Sequence, residues 1–292
     1  MRNLTSNKKP IDSGSEKFGL LRESNDILDD CLALRQRIEE DGYLLIRGGI
    51  DRDVVLAARL EILEKLDSVG EIDRTKPLIE AVGSGASRRA ETDQDSFLVG
   101  LRSGEAIRRL AHGDDLRRFF TRFLDREVRP LDYIWVRTVP LGGFTGAHYD
   151  WVYMGRGTKN LYTTWIPVGD VPMEGGALLI LENSHHQEKL IDSYGRLDVD
   201  RDREKNPYGG AEGGWYSEDP VQVQKDLGGR WLTADFRAGD MLVFGMWTLH
   251  CSLDNCSPQG RIRITIDTRW QPADEPVDER WVGNRSAAHS RP

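Results

Sequence analysis

The stretch RIRITIDTRW, residues 261–270, alternates as a β-strand does. Ile262, Ile264 and Ile266 are set against Arg261, Arg263 and Thr265, the period of two that sends neighbouring side chains to opposite faces. Similar short runs occur upstream, divided by Gly, Pro and Asp: Leu131 to Val139, Ala147 to Tyr153, Leu161 to Val168, Ala177 to Leu181, Trp231 to Phe236 and Met241 to Leu249. Strands at this spacing with turn residues between them predict a sandwich or barrel.

Before residue 129 the texture is helical. Asn25 to Glu40 carries Ile27, Leu28, Leu32 and Leu34 and breaks at Gly42, and a short strand, Tyr43 to Ile46, follows. Asp51 to Asp67 has Leu56, Leu60 and Leu63 at helical spacing, with Asp51 or Asp53 as N-cap. Gly83 to Arg89 reads as a loop. Asp114 to Leu124 puts Leu116, Phe119, Phe120 and Phe123 on one stripe. Helices first and strands later, without a βαβ rhythm, predict a mainly β fold: a jelly-roll core over about 130–272 with N-terminal helices packed on it. Residues 1–17 read as a flexible arm, 18–272 as a single domain and 273–292 as a polar surface tail. The Gly- and Asp-rich segment 191–230 interrupts the strands as a long loop, suited to be a lid.

Composition narrows the class of function. The net charge is −8 with acidic residues spread along the chain and no Lys/Arg stripe, which argues against nucleic acid or an anionic membrane as partner. No run approaches the roughly 20 apolar residues of a membrane span. Cys31, Cys251 and Cys256 are odd in number and form no C-x-x-C, so a reducing cytoplasm is the expected location. Cys251 reads as a small filler beside His250.

Two ligand-type side chains, His148 and Asp150, lie two residues apart on a predicted strand and so share a face. His250 follows 100 residues after Asp150, at the end of the predicted strand Met241 to Leu249. Two imidazoles and one carboxylate can fill one face of an octahedron and leave three positions open, as in non-haem iron(II) oxygenases. A chelating oxo-acid would take two of those positions and dioxygen the third. Downstream, Arg261 and Arg263 have the same parity and could both face the interior. A guanidinium there would bind a dicarboxylic acid through two parallel hydrogen bonds.

Three stretches together carry a resemblance: GAHYDW at 146–151, TTWIPVGDVPMEGGALLILENSHH at 163–186, and FRAGDMLVFGMWTLHCSLDNCSPQGRIRITIDTRWQP at 236–272. They resemble the phytanoyl-CoA dioxygenase family of iron(II)/2-oxoglutarate oxygenases. The resemblance implies a double-stranded β-helix with iron on His148, Asp150 and His250. It also implies a co-substrate serine at Ser252 and a pocket tryptophan at Trp165. The family's arginine usually falls eleven residues after the distal histidine, at Arg261. The register of ITIDTRWQP instead favours Arg263, with a two-residue insertion before it. His185 and His186 fall in the family's turn, and neither His112 nor His289 is assigned a role.

The chemistry so implied consumes 2-oxoglutarate and dioxygen and releases succinate and carbon dioxide, with ascorbate as the expected reductant in vitro. Because related halogenases lack the carboxylate ligand, Asp150 makes hydroxylation of a C–H bond the expected outcome. Trp151, Tyr153, Trp215 and Trp247 are candidates for the substrate wall. No basic cluster suggests a CoA nucleotide site, so a small molecule or natural product is the expected substrate. The alternatives are a cupin-like isomerase or dioxygenase that uses no 2-oxoglutarate, in which the arginine would be idle, and a scaffold protein.

Overall fold

The computed structural model describes residues 3–202, 207–208 and 213–283. Helix α1 (Cys31–Asp41) starts where Asp30 accepts hydrogen bonds from the backbone of Leu32 and Ala33. It stops at Gly42, whose φ of 79° suits a residue without a Cβ. Helix α2 (Arg52–Ser68) is capped by Asp51, and α3 (Gln94–Arg102), α4 (Glu105–His112) and α5 (Asp114–Leu124) follow. Helices α3 and α4 have no counterpart among the helices expected from the sequence. On α2 the buried face is Val55, Ala58, Ile62, Leu63 and Leu66, and Leu60 is exposed. Leu32 of α1 is likewise exposed.

The strands are β1 (Thr5–Ser6), β2 (Lys9–Pro10), β3 (Phe18–Leu20), β4 (Tyr43–Ile46), β5 (Val128–Pro130), β6 (Trp135–Val139), β7 (Tyr162–Pro167), β8 (Leu178–Leu181), β9 (Trp231–Thr233), β10 (Met241–Gly245), β11 (His250–Ser252) and β12 (Arg263–Pro272). Among the described residues the larger sheet has the order β4-β10-β7-β12, with β5 and β6 both pairing with β12. The smaller sheet runs β11-β8-β9-β3. The expected architecture holds: a mainly β jelly-roll core with helices packed on one side.

Helices and the larger sheet enclose one apolar cluster, in which Phe120 stacks on Trp270 at 5.5 Å between ring centroids. A second cluster, including Leu45, Trp165, Leu179 and Phe244, draws on both sheets. Strands β4, β7 and β10 of the larger sheet serve both clusters through their two faces. Leu44 and Ile46 of β4 join the first, and Tyr43 and Leu45 the second.

The arm and the tail are better fixed than their polarity suggested. β1 and β2 form a hairpin, and the Ser6 hydroxyl donates to the Ser252 carbonyl at 2.7 Å. The Asp254 carboxylate accepts from the amides of Asn7 and Lys8, both at 2.8 Å. At the other end Trp281 is buried against Tyr133 and Trp135. Residues 284–292, including His289, lie outside the described residues.

Segment 191–230 differs from the expected loop. It holds the end of α7 (Glu188–Asp192), α8 (Val199–Asp202) and α9 (Pro220–Leu227). Asp219 caps α9 and Pro220 opens it, a start signal that favours a helix despite the polar composition. Residues 203–206 and 209–212 of the segment lie outside the described residues.

Candidate metal centre

His148 and His250 are brought together by an antiparallel bridge in which each amide donates to the other's carbonyl, at 3.0 and 3.1 Å. Their ring centroids are 4.2 Å apart. The expected strand Ala147 to Tyr153 ends at this bridge. Asp150 takes helical dihedrals and opens a single turn, α6 (Trp151–Met154). A tight turn, and not strand parity, returns its carboxylate to the histidines. His250 also departs from expectation: β10 ends at Gly245, the chain turns through Thr248, and β11 lies in the opposite sheet. The histidine and the arginines after it therefore do not sit on neighbouring strands.

Each imidazole is oriented from behind. His148 Nδ1 lies 2.8 Å from the Gly146 carbonyl oxygen and His250 Nδ1 2.9 Å from that of Thr248. A carbonyl only accepts, so Nδ1 carries the proton and Nε2 presents its lone pair. The two Nε2 atoms lie 3.6 and 3.9 Å from Asp150 Oδ1. Burial, together with the neighbouring His250, pushes His148 down to about 3, and burial also lowers His250. Burial alone would raise the Asp150 carboxyl, but Arg269 and the two imidazoles hold it well below the usual carboxylate range. Near neutral pH the cluster is two neutral imidazoles and one carboxylate, a donor set that fits a facially bound iron(II).

All three ligand atoms lie within 4.8 Å of one another. Cys251 is not in this group; it packs in the apolar cluster, where burial pushes its thiol up. His185 and His186 sit in a turn, each with Nε2 against the Glu39 carbonyl. His112 is half-buried, edge-on to Trp270.

A cavity beside the triad is lined by Arg137, Thr145, Trp165, Leu178, Ser252 and Arg263, among others. The Ser252 hydroxyl accepts from the Thr145 amide at 2.9 Å, which leaves its own proton to donate. Arg263 is buried at the start of β12, and its Nη1 donates to the Gly176 carbonyl. Gly176 has φ 86°, and a Cβ there would press on the backbone of Leu253 and Asn255. Arg263 Nε is buried without a partner, an unmet donor that a bound carboxylate would satisfy.

Arg261 does not share this cavity. Residues 260–262 are pulled toward the helical layer by hydrogen bonds from Gly83 to Gly260 and from Ile262 to Ala81. The ladder of β12 begins only at Arg263, and Arg261 is exposed. Equal parity therefore failed to put the two arginines on one face.

Tyr153 stands edge-on to His148 at 5.6 Å, and Trp151 stacks with Trp247 at 4.5 Å. Trp215 fits against Gly146, where any Cβ would collide with its ring.

Four polar residues around the cluster escaped the sequence reading. Thr163 and Arg269 both donate to Asp150 Oδ2, and Arg137 Nε donates to Asp267 at 2.7 Å. On β12 the signal was available: the alternation that includes Arg263 and Thr265 continues through Asp267 and Arg269.

A model of the phytanoyl-CoA dioxygenase (PhyH) family matches residues 38–263. The chain belongs to that family. As a phytanoyl-CoA dioxygenase family member with this donor set, it is an iron- and 2-oxoglutarate-dependent oxygenase. It is 25% identical over 270 residues to the 1-deoxypentalenic acid 11-beta-hydroxylase of Streptomyces exfoliatus, covering 85% of this chain and 83% of that protein. Among solved structures, the alpha-ketoglutarate-dependent carbocyclase SnoK from nogalamycin biosynthesis is similar at a TM-score of 0.54 and 18% identity, over 84% of this chain and 85% of that one. The epimerase SnoN in complex with Fe3+, alpha ketoglutarate and nogalamycin RO gives 0.53 and 18%, over 85% and 86%. At these identities the structural likeness shows a shared fold. Among the described residues no helix is long and apolar enough to cross a membrane.

Proposed function

We propose that this family member hydroxylates a C–H bond of a small molecule or natural product, releasing succinate and carbon dioxide. In this reading iron(II) is held by His148 Nε2, His250 Nε2 and Asp150 Oδ1. The 5-carboxylate of 2-oxoglutarate meets Arg263 and the Ser252 hydroxyl. The observation that carries the proposal is the buried Arg263 guanidinium with an unmet donor, in the same cavity as two Nε2-presenting histidines. A metalloenzyme with no dicarboxylate to bind would leave that arginine buried for nothing.

Bound iron would activate dioxygen, the oxidant, with 2-oxoglutarate giving up two of the four electrons it takes and ascorbate keeping the metal reduced in vitro. The protein's own work is placement. Carbonyls of Gly146 and Thr248 fix both imidazole tautomers, and Arg263 with Ser252 sets the depth of the co-substrate. Trp165, with its ring 4.7 Å from that of Phe236, supplies an apolar wall. Asp150 occupies the ligand position that a halide would need, which favours hydroxylation.

Trp151, Tyr153, Trp215 and Trp247 would frame the substrate, and segment 191–230 would act as the lid. The lid reading is supported by its pairing beside the triad, where the Ala147 amide donates to Ser217 at 2.8 Å. A hydroxylase of a small carboxylic acid among the relatives supports a small-molecule substrate. Three free cysteines support a reducing, cytoplasmic setting. The arm, the described tail and residues 18–272 would act as one oxygenase unit, since both ends are packed onto the core.

The test is anaerobic calorimetry of 2-oxoglutarate binding to the iron-loaded protein. Arg263→Ala should weaken binding by about 2–5 kcal/mol, the range for truncating one side of a buried charge pair. Arg261→Ala should leave it essentially unchanged. The reverse ranking would overturn the co-substrate assignment.

A further inference from the structure

We propose that Arg269 is a positioning residue: with Thr163 it holds one oxygen of Asp150 so that the other alone faces the metal. The proposal rests on reading His148, Asp150 and His250 as the iron ligands. The two carboxylate oxygens have separate surroundings. Oδ2 accepts from the Thr163 hydroxyl and from Arg269 Nη2, the latter at 2.9 Å. Oδ1 faces the two Nε2 atoms at 3.6 and 3.9 Å.

Arg269 has little other reason to be there. It is 1% exposed, does not line the cavity, and has Nε and Nη1 buried without partners. Its guanidinium lies 4.0 Å from the ring centre of Trp135. The neighbouring acid on the same strand face, Asp267, is engaged by Arg137. Burying a cation with so few hydrogen bonds is expensive, and an apolar side chain of similar volume would serve stability as well or better. What an apolar residue could not do is occupy Oδ2. With Oδ2 held, Asp150 would offer one ligand atom, and the triad would leave three positions of a six-coordinate ion open. A carboxylate free to turn and bind through both oxygens would fill four, too many for a chelating oxo-acid plus dioxygen.

The prediction is a split between two affinities. Without Arg269 the bare iron(II) affinity changes little, because lost alignment is offset by removal of a nearby positive charge. Binding of 2-oxoglutarate suffers on both counts, losing a coordination position and a cation that attracts the dianion. The experiment titrates iron(II), then 2-oxoglutarate, anaerobically into wild type, Arg269→Met, Arg269→Lys and Thr163→Val, following the visible iron-to-oxo-acid charge-transfer band.

For Arg269→Met the expected result is about a tenfold or greater loss of 2-oxoglutarate affinity, at the lower end of typical outer-shell effects, with a displaced band. Arg269→Lys should recover most of it, because an ammonium can still hold Oδ2. An unchanged affinity and band in Arg269→Met would reduce Arg269 to a structural residue and overturn the proposal. If Arg269→Met does not fold, Thr163→Val decides. A smaller loss with the band displaced in the same direction supports the clamp, and wild-type behaviour overturns it. Iron binding by Asp150→Ala as tight as by wild type would instead overturn the ligand assignment, and the clamp with it.

Discussion

The two faces of β12 are both buried and chemically opposite. Ile264, Ile266 and Trp270 belong to the apolar cluster beneath the helices. Arg263, Thr265, Asp267 and Arg269 point the other way, into the space between the sheets, and each is 4% exposed or less. The difference separates stability from function. The helix side gains free energy by removing apolar area from water. The inner side gives some of it back, because buried ionic groups rarely recover their desolvation cost. That expense is tolerable only where the groups hold something, and here they surround the triad and its cavity.

Substitution on the apolar face should give the largest change in stability. Ile266→Ala deletes a fully buried side chain and should cost about 2–5 kcal/mol by chemical denaturation. Affinity for 2-oxoglutarate in the folded fraction should stay near wild type. A large loss of affinity at modest loss of stability would break the division between the faces.

A second, smaller effect concerns the periphery of the inner side, where hydrogen bonds take the place of area. Asp254→Ala removes the acceptor for two amides of the arm and should cost about 1–3 kcal/mol. The signature is local: hydrogen exchange at Asn7 and Lys8 should rise well before the amides of β7 and β10 respond. Uniform acceleration across both sheets would mean that the arm is part of the core.

The smallest effect is expected at the joint between the lid segment and the C-terminal stretch. Burial would raise Asp198, but its hydrogen bond with Arg156 and the charge of Arg280 hold it down to about 2. A carboxyl depressed in the folded state contributes stability above its unfolded value near 4 and loses it as pH falls through about 2. Solvent screening keeps the contribution under about 1 kcal/mol. The melting-temperature difference between wild type and Asp198→Asn should be small near neutral pH and vanish toward pH 2. A difference that grows on acidification would contradict the ion-pair reading.

Much of this was legible in the sequence, for physical reasons that also mark where legibility stops. Period-two alternation located β12, and the residue types at 148, 150 and 250 pointed to a metal. Asp150 lies on a turn that the neighbouring aromatic run disguised as strand. Arg261 was misplaced because parity holds only inside a ladder, and backbone bonds to Ala81 and Gly83 draw the chain away just before Arg263. Thr163 could not be singled out, since a hydroxyl on a β-rich run looks like any other until the carboxylate it serves is in place. The arm and tail looked loose because their anchors are a few specific contacts, Ser6 to Ser252, Asp254 to the amides of Asn7 and Lys8, and Trp281 between two rings, that composition averages away.

Succinate release tests most directly whether the polar interior performs oxygen chemistry with 2-oxoglutarate. Purified protein should be given iron(II), ascorbate, oxygen and 2-oxoglutarate, with succinate measured by mass spectrometry against Asp150→Ala as control. Slow succinate release from wild type, faster once a panel of small organic acids and natural products includes the substrate, and little from Asp150→Ala is the predicted result. Iron bound at the triad but no succinate with any compound of a broad panel, or equal succinate from Asp150→Ala, would contradict it.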